Sequence, residues 1–400
     1  MKIVHAADVH LDSPLQGLAR YPGAPVDAIR QATGRALAAL VDTCLAEEAP
    51  ILIIAGDLFD GAWRDYRTGL TFVKEMNRLR DVGTRVLVVR GNHDAESAIA
   101  KTLDWPAHVT FFSASAPESL KFEALGVAVT GQSFATRAVV DDLSVRYPAP
   151  VPGLVNFAVL HTSADGREGH ATYAPCTVSN LRASGYHYWA LGHVHAREVL
   201  SESPWIVFPG NLQGRHAREL GPKGATVVTI DGGVITHVVH RTLDVVRWEQ
   251  LDVPVKEASP DHVLDATLDA VDALRKVEPD RLLALRVNFR VPVALAPWFE
   301  AQRTTLEASV RAEIGRVRDD VWFEKMQLAV QKSAGATLAT LVHGLIDADE
   351  QLRNALSDEL KPLLKKLPPT ASDGLSDDVA IGNLLDEARA LLAHRMKEAE

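Results

Sequence analysis

The sequence predicts an α/β protein, on three observations. Five short apolar runs suited to strands buried on both faces each end on a side chain that binds metals or hydrogen-bonds phosphate. They are "KIVHAAD" ending at Asp8, "ILIIAGD" at Asp57, "VLVVRGN" at Asn92, "NFAVLH" at His161 and "YWALGH" at His193. Amphipathic helical stretches separate the first three, around residues 27–48 and 66–81. Glycine precedes three of the polar ends, at Gly56, Gly91 and Gly192, where a missing Cβ lets the chain turn and lets a ligand approach the backbone. This alternation collects ligands at the carboxyl ends of strands.

The later elements follow in order. Four β-rich runs at 197–201, 205–209, 225–230 and 234–240 read as a meander completing a second sheet. After residue 246 the pattern changes. "WEQLDVPV", a helical stretch at 261–275, "RLLALRVNF", a helix at 297–315 and "DVWFEKM" predict a small α+β domain. "SAGATLATLVHGL" and the remaining tail read as helical, interrupted by the linker-like "KKLPPTASDGLSDD". Within that tail Leu384, Ala388, Leu391 and Leu392 form one stripe, which suits either a partner's coiled coil or the chain's own domain. The expected division is 1–246, 247–330 and 331–400.

Composition narrows the class. With 400 residues and 47% hydrophobic content the chain suits two or three globular domains. No apolar run is long enough to cross a bilayer, and "MKIVHAADVH" enters a strand with no signal-peptide layout, so a cytoplasmic location is expected. Cys44 and Cys176 lack CxxC spacing and read as reduced, buried thiols. A net charge of −10 gives no generic DNA-coating signal. Any nucleic-acid contact is therefore local, or relies on bound cations or a partner.

The polar ends form an ordered donor set: Asp8 and His10 (D-x-H), Asp57 and Asp60 (GDLFD), Asn92-His93-Asp94 (GNHD), His161, and His193 with His195 (GHVH). The set holds carboxylate, amide and imidazole donors and no thiolate, which suits Mn²⁺, Fe²⁺ or Zn²⁺. Two such ions sharing a carboxylate suit phosphoryl chemistry. For His193 and His195 three readings compete: solvated strand-end residues, one ion holding both rings, or two ligands aimed at different ions.

The five motifs in this order resemble the calcineurin-like metallophosphoesterase superfamily, and within it the SbcD-type DNA-repair nucleases. The YhaO-like subgroup is the best match, through "GDLFDGAWRDYRTGLTFV", "HTSADGREGH" with "YAPC", "YHYWALGHVHAREVL" and "FPGNLQGRHARELGPKG". The resemblance implies a four-layer α/β/β/α sandwich with a small α+β cap domain and a helical C-terminal tail. It implies one metal on Asp8, His10, Asp57 and His195, and the other on Asp57, Asn92, His161 and His193. Each ring of the GHVH pair then takes a different ion. His93 would bind no metal but sit over the scissile phosphate, stabilise charge and protonate the leaving oxygen, with Asp60 orienting it. Asp94 would fix the loop.

Arg167, His170, Arg215, His216 and Lys223 lie in Gly-rich segments of the same subgroup-like text, and read either as phosphate contacts or as solvated loop charges. Trp63 and Tyr66 suit base stacking or, better, packing. The expected activity is Mn²⁺-dependent hydrolysis of DNA phosphodiesters, as exonuclease or endonuclease, by metal-activated water. DNA and an SMC-like ATPase are the expected partners, with a homodimer implied by family likeness. The competing readings are a phosphoesterase acting on a smaller substrate such as a cyclic nucleotide, and a DNA-end scaffold with decayed catalysis.

Overall fold

The computed structural model describes residues 1–11, 13, 23–60, 67–96, 104–166, 173–278 and 280–331. Trp63, Tyr66, Arg167, His170 and the C-terminal helical region from residue 332 onward lie outside the described residues. By Cα proximity the chain forms two units: Met1–Glu249 with Asp280–Ala284, and Gln250–Pro279 with the chain from Leu285.

In the first unit the described elements run β1 (Lys2–Ala6), α1 (Val26–Ala46), β2 (Ile51–Ala55), α2 (Arg67–Arg80), β3 (Arg85–Val89), β4 (Val109–Phe111), β5 (Glu118–Phe122), β6 (Val127–Gly131), β7 (Val155–His161), α3 (Val178–Ala183), β8 (Tyr188–Gly192), β9 (Glu198–Glu202), β10 (Trp205–Phe208), β11 (Gly224–Asp231) and β12 (Val234–Thr242). One six-stranded sheet has the order β12-β11-β1-β2-β3-β4, the other β5-β6-β7-β8-β10-β9. Strands β1 to β4 are mutually parallel, as are β6, β7, β8 and β10, so each sheet gathers several carboxyl ends along one edge.

Side-chain alternation explains why these runs are apolar throughout. Ile3, Ile51, Ile53 and Leu87 face the space between the sheets, where they meet Val129, Phe157, Val159 and Tyr188 of the second sheet. Their neighbours Val4, Leu52 and Ile54 face the other way, onto Ala36, Leu37 and Leu40 of α1 and Phe72 and Met76 of α2. The outer face of the second sheet buries Ala158, Leu160, Trp189 and Leu191 against Leu181 of α3 and against Tyr186. The result is the four-layer α/β/β/α sandwich. Each such aliphatic side chain, fully buried, contributes about 1.5–3 kcal/mol.

One expectation is corrected here. The four β-rich runs after His195 do not complete a single sheet. β9 and β10 join the second sheet beside β8, whereas β11 pairs antiparallel with β1 and carries β12 into the first. The register Val4↔Val227 and His5↔Thr226 closes the first sheet on the side away from β2. A strand buried on both faces carries no side-chain signature of which sheet it joins, and the long connection from 209 to 223 makes the switch.

The second unit holds β13 (Val246–Pro254), α4 (Pro260–Val277), β14 (Leu282–Pro292), α5 (Ala296–Ala301), α6 (Arg303–Val317) and β15 (Val321–Gln331), with the start of β13 and of β14 belonging to the first. The sheet order is β13-β14-β15. Ser259 caps α4 by accepting from the His262 N–H at 3.3 Å, and Pro260 occupies the first turn, where its missing N–H costs nothing. Val263 and Val271 of α4, and Leu306, Val310 and Ile314 of α6, form the buried helical stripes over this sheet. Among the described residues no helix is long and apolar enough to cross a membrane.

Candidate metal centre

The carboxyl ends of β1, β2, β3, β7 and β8 bring the predicted polar side chains together. Four non-glycine residues in these turns, Asp8, His10, Asp57 and His193, adopt φ of 50°, 46°, 48° and 106°. L-residues populate that region sparsely, and such strain gathers where function over-determines the backbone. The turns are locked by hydrogen bonds. Asp8 Oδ1 and Oδ2 accept from the His193 N–H at 3.1 and 2.9 Å, and Asp57 Oδ1 accepts from the His93 N–H at 3.0 Å.

The three glycines before the polar ends are dictated by this crowding. A Cβ on Gly56 would stand 2.3 Å from His161 Nδ1, and one on Gly91 2.3 Å from Asp57 Oδ1. On Gly192 it would meet the Ala55 carbonyl oxygen at 1.8 Å, a backbone atom that cannot step aside. Gly192→Ala is therefore expected to destabilise the protein by at least about 3 kcal/mol, measured by urea unfolding. An unfolding midpoint equal to the wild type's would contradict the packing described.

Among the described residues, three overlapping groups of donors have their ligand atoms within 4.8 Å of one another: Asp8, His10 and His195; Asp8, Asp57 and His161; His10, Asp60 and His93. Nε2 of His10 and Nε2 of His195 approach to 3.2 Å. His161 Nε2 lies 3.0 Å from Asn92 Oδ1 and 3.5 Å from Asp57 Oδ2. The His193 ring stands 5.2 Å from that of His161, centroid to centroid. Asp57 is thus common ground, its Oδ2 3.5 Å from His161 Nε2 and 3.9 Å from His10 Nε2.

The electrostatics of the cluster fit a cation. Burial, then the Asp57 charge, pushes the Asp8 carboxyl well above its ordinary range, and burial pushes Asp57 up to about 6. Burial lowers His10 and His161 to about 3, leaving neutral rings with lone pairs. His10 Nδ1 is buried and unsatisfied, 3.5 Å from Asp60 Oδ1 and too poorly placed to bond it. Facing carboxylates, neutral imidazoles and an amide oxygen in a protein interior form a donor set suited to divalent ions.

His93 differs from the others. It is a third exposed, and its Nδ1 meets Asp60 Oδ1 at 2.9 Å. That hydrogen bond raises the His93 pKa against the opposing effect of burial. Burial would raise Asp60, but the nearby His10 ring and the hydrogen bond from His93 outweigh it and hold the carboxyl well below its usual range. Asp94 accepts from the N–H groups of Leu58, Phe59 and Gly91 at 2.8–3.1 Å and so ties the two loops together.

The suggested phosphate contacts divide. Arg215 is turned inward, its Nη2 2.9 Å from Glu219 Oε1 and its Nη1 3.8 Å from Asp60 Oδ2. Lys223 is buried and donates to the His195 carbonyl at 2.9 Å. His216 is more than half exposed. Sequence reasoning missed Glu219, whose Oε1 lies 2.8 Å from His195 Nδ1. A lone acid inside "RHARELG" carries no spacing signal that points to a histidine 24 residues earlier.

The profile of calcineurin-like phosphoesterases matches residues 1–197, and that of the middle domain of the metallophosphoesterase YhaO matches residues 248–331. The chain is 33% identical over 372 residues to the uncharacterized metallophosphoesterase YhaO of Bacillus subtilis, covering 91% of this chain and 90% of that one. It is 25% identical over 295 residues to the DNA double-strand break repair protein Mre11 of Methanopyrus kandleri, covering 62% of this chain and 61% of that one. A solved structure of a dimetal phosphatase from Danio rerio aligns with a TM-score of 0.37 at 12% identity, over 58% of this chain and 93% of that one.

Proposed function

The chain belongs to the calcineurin-like metallophosphoesterases, with YhaO among its relatives, and from that premise we propose that it is a two-metal phosphodiesterase that cleaves DNA. One observation carries the reading: Asp57 Oδ2 lies within 4 Å of both His161 and His10, with the more exposed His93 beside them on the Asp60 carboxylate. Asp8, His10, Asp57 and His195 would hold one ion, and Asp57, Asn92, His161 and His193 the other. Bound there, two divalent cations, Mn²⁺ in this reading, supply a water acidic enough to attack at neutral pH and neutralise charge on the phosphate. The chain's own residues do the rest. His93, whose hydrogen bond to Asp60 favours its protonated form, stabilises the developing charge and delivers a proton to the leaving oxygen. Asp94 holds the His93 loop against the Leu58–Phe59 loop, so the ring keeps its place.

The choice of DNA is supported by the likeness to a protein named for double-strand break repair, and by the α+β unit that follows the sandwich. The proposal includes residues 247–330 as the DNA-contacting cap, residues 331–400 as the docking region for an SMC-like ATPase, and a homodimer. With a net charge of −10, the isolated chain is expected to bind plain duplex weakly and with strong salt dependence. Incubating end-labelled linear duplex DNA and bis(p-nitrophenyl) phosphate separately with the protein and Mn²⁺ tests the reading. DNA shortening that EDTA abolishes is expected. Intact DNA beside a rapidly hydrolysed bis-ester would overturn the substrate.

A further inference from the structure

The loop between β10 and β11 returns over the turn that carries His195 and holds it at several points. The His195 carbonyl accepts from Lys223 Nζ at 2.9 Å and from the Asn211 N–H at 3.2 Å. Its ring is held through Nδ1, 2.8 Å from Glu219 Oε1. Glu219 is buried, and its two oxygens also accept from Asn211 Nδ2 at 2.9 Å, the Arg215 N–H at 2.7 Å and Arg215 Nη2 at 2.9 Å. Arg215 Nη2 approaches His195 Nδ1 to 3.2 Å, yet a guanidinium only donates, so the shorter contact with the carboxylate decides the tautomer. Nδ1 carries the proton, and Nε2 presents its lone pair to Asp8 and His10, 3.9 and 3.2 Å away.

His161 Nδ1 meets the neutral Ala55 carbonyl at 3.0 Å. An imidazole backed by a carboxylate is the stronger base and the better-oriented ligand. Resting on the two-metal reading above, we infer that Glu219 is a positioning residue that fixes the His195 tautomer and strengthens the hold on the ion bound by Asp8, His10 and His195. Arg215 couples this acid to Asp60, which lies beneath His10 and His93, and so belongs to the scaffold of the centre.

Titration calorimetry with Mn²⁺ alone, on wild type and on Glu219→Gln, tests this. The wild type should take up two ions. In Glu219→Gln one site should weaken by about 10–100-fold, with the other unchanged. Two unchanged sites, or equal weakening of both, would overturn the positioning role. No Mn²⁺ uptake by the wild type would overturn the two-metal reading itself. A second measurement needs no variant: long-range ¹H–¹⁵N NMR of metal-free wild type should find His195 protonated on Nδ1. Protonation on Nε2 would remove the inference even if Glu219→Gln failed to fold.

Discussion

Asp57→Asn is expected to lower phosphodiester hydrolysis by about 10³-fold or more, equivalent to about 4 kcal/mol of transition-state stabilisation. The reason is position. Asp57 is the carboxylate approached by donors of both clusters, at 3.5 Å from His161 and 3.9 Å from His10. An amide keeps the oxygen that accepts from the His93 N–H and loses the charge that two cations need between them. The same substitution should leave the metal-free fold intact. Burial raises the Asp57 carboxyl to about 6, so the metal-free protein loses stability on this group's account as pH rises from near 4 through about 6. Asparagine removes that loss. Thermal melting in EDTA at pH 7.5 should therefore show a variant at least as stable as wild type, while the stabilisation by added Mn²⁺ shrinks. Full activity with two bound ions would contradict the bridging role.

His93→Ala is the second large effect. A drop in kcat of about 10²–10⁴-fold is expected from loss of a positioned proton donor, with bound metal unchanged. His93 shares Asp60 and His10 with one of the three donor groups. Metal content therefore distinguishes an acid from a ligand: a variant that loses an ion would make His93 a ligand. The pH profile carries the sign. His93 must be protonated to donate, and its bond to Asp60 raises its pKa. The rate should therefore fall as pH climbs above histidine's ordinary value. In Asp60→Asn the fall should begin at lower pH, because the bond that raises His93 is weakened.

Much of the centre was legible because strand-end ligands follow a local rule. A doubly buried strand spells itself as an apolar run, and the first polar residue after it, with a glycine beside it, marks where the chain turns toward a ligand. Asp57, Asn92 and His193 are of this kind, and Asp8 and His161 end their runs in the same way without the glycine. What local text does not encode is pairing. "WIVF" of β10 and "GATVVTID" of β11 are equally apolar, yet they join different sheets. The edge strand β5, "ESLKF", is half exposed and lacks the apolar signature altogether. Glu219 and Arg215 were opaque for the same reason. Both sit in a polar loop, and only the return of that loop over His195 gives the acid its partner and turns the arginine inward.

Anomalous diffraction from crystals grown with Mn²⁺ tests the binuclear centre most directly. Two peaks about 3.5–4 Å apart are expected, one on each side of the Asp57 carboxylate, the first against His10 and His195 and the second against Asn92 and His161. A single peak, or peaks lying away from Asp57, would contradict it.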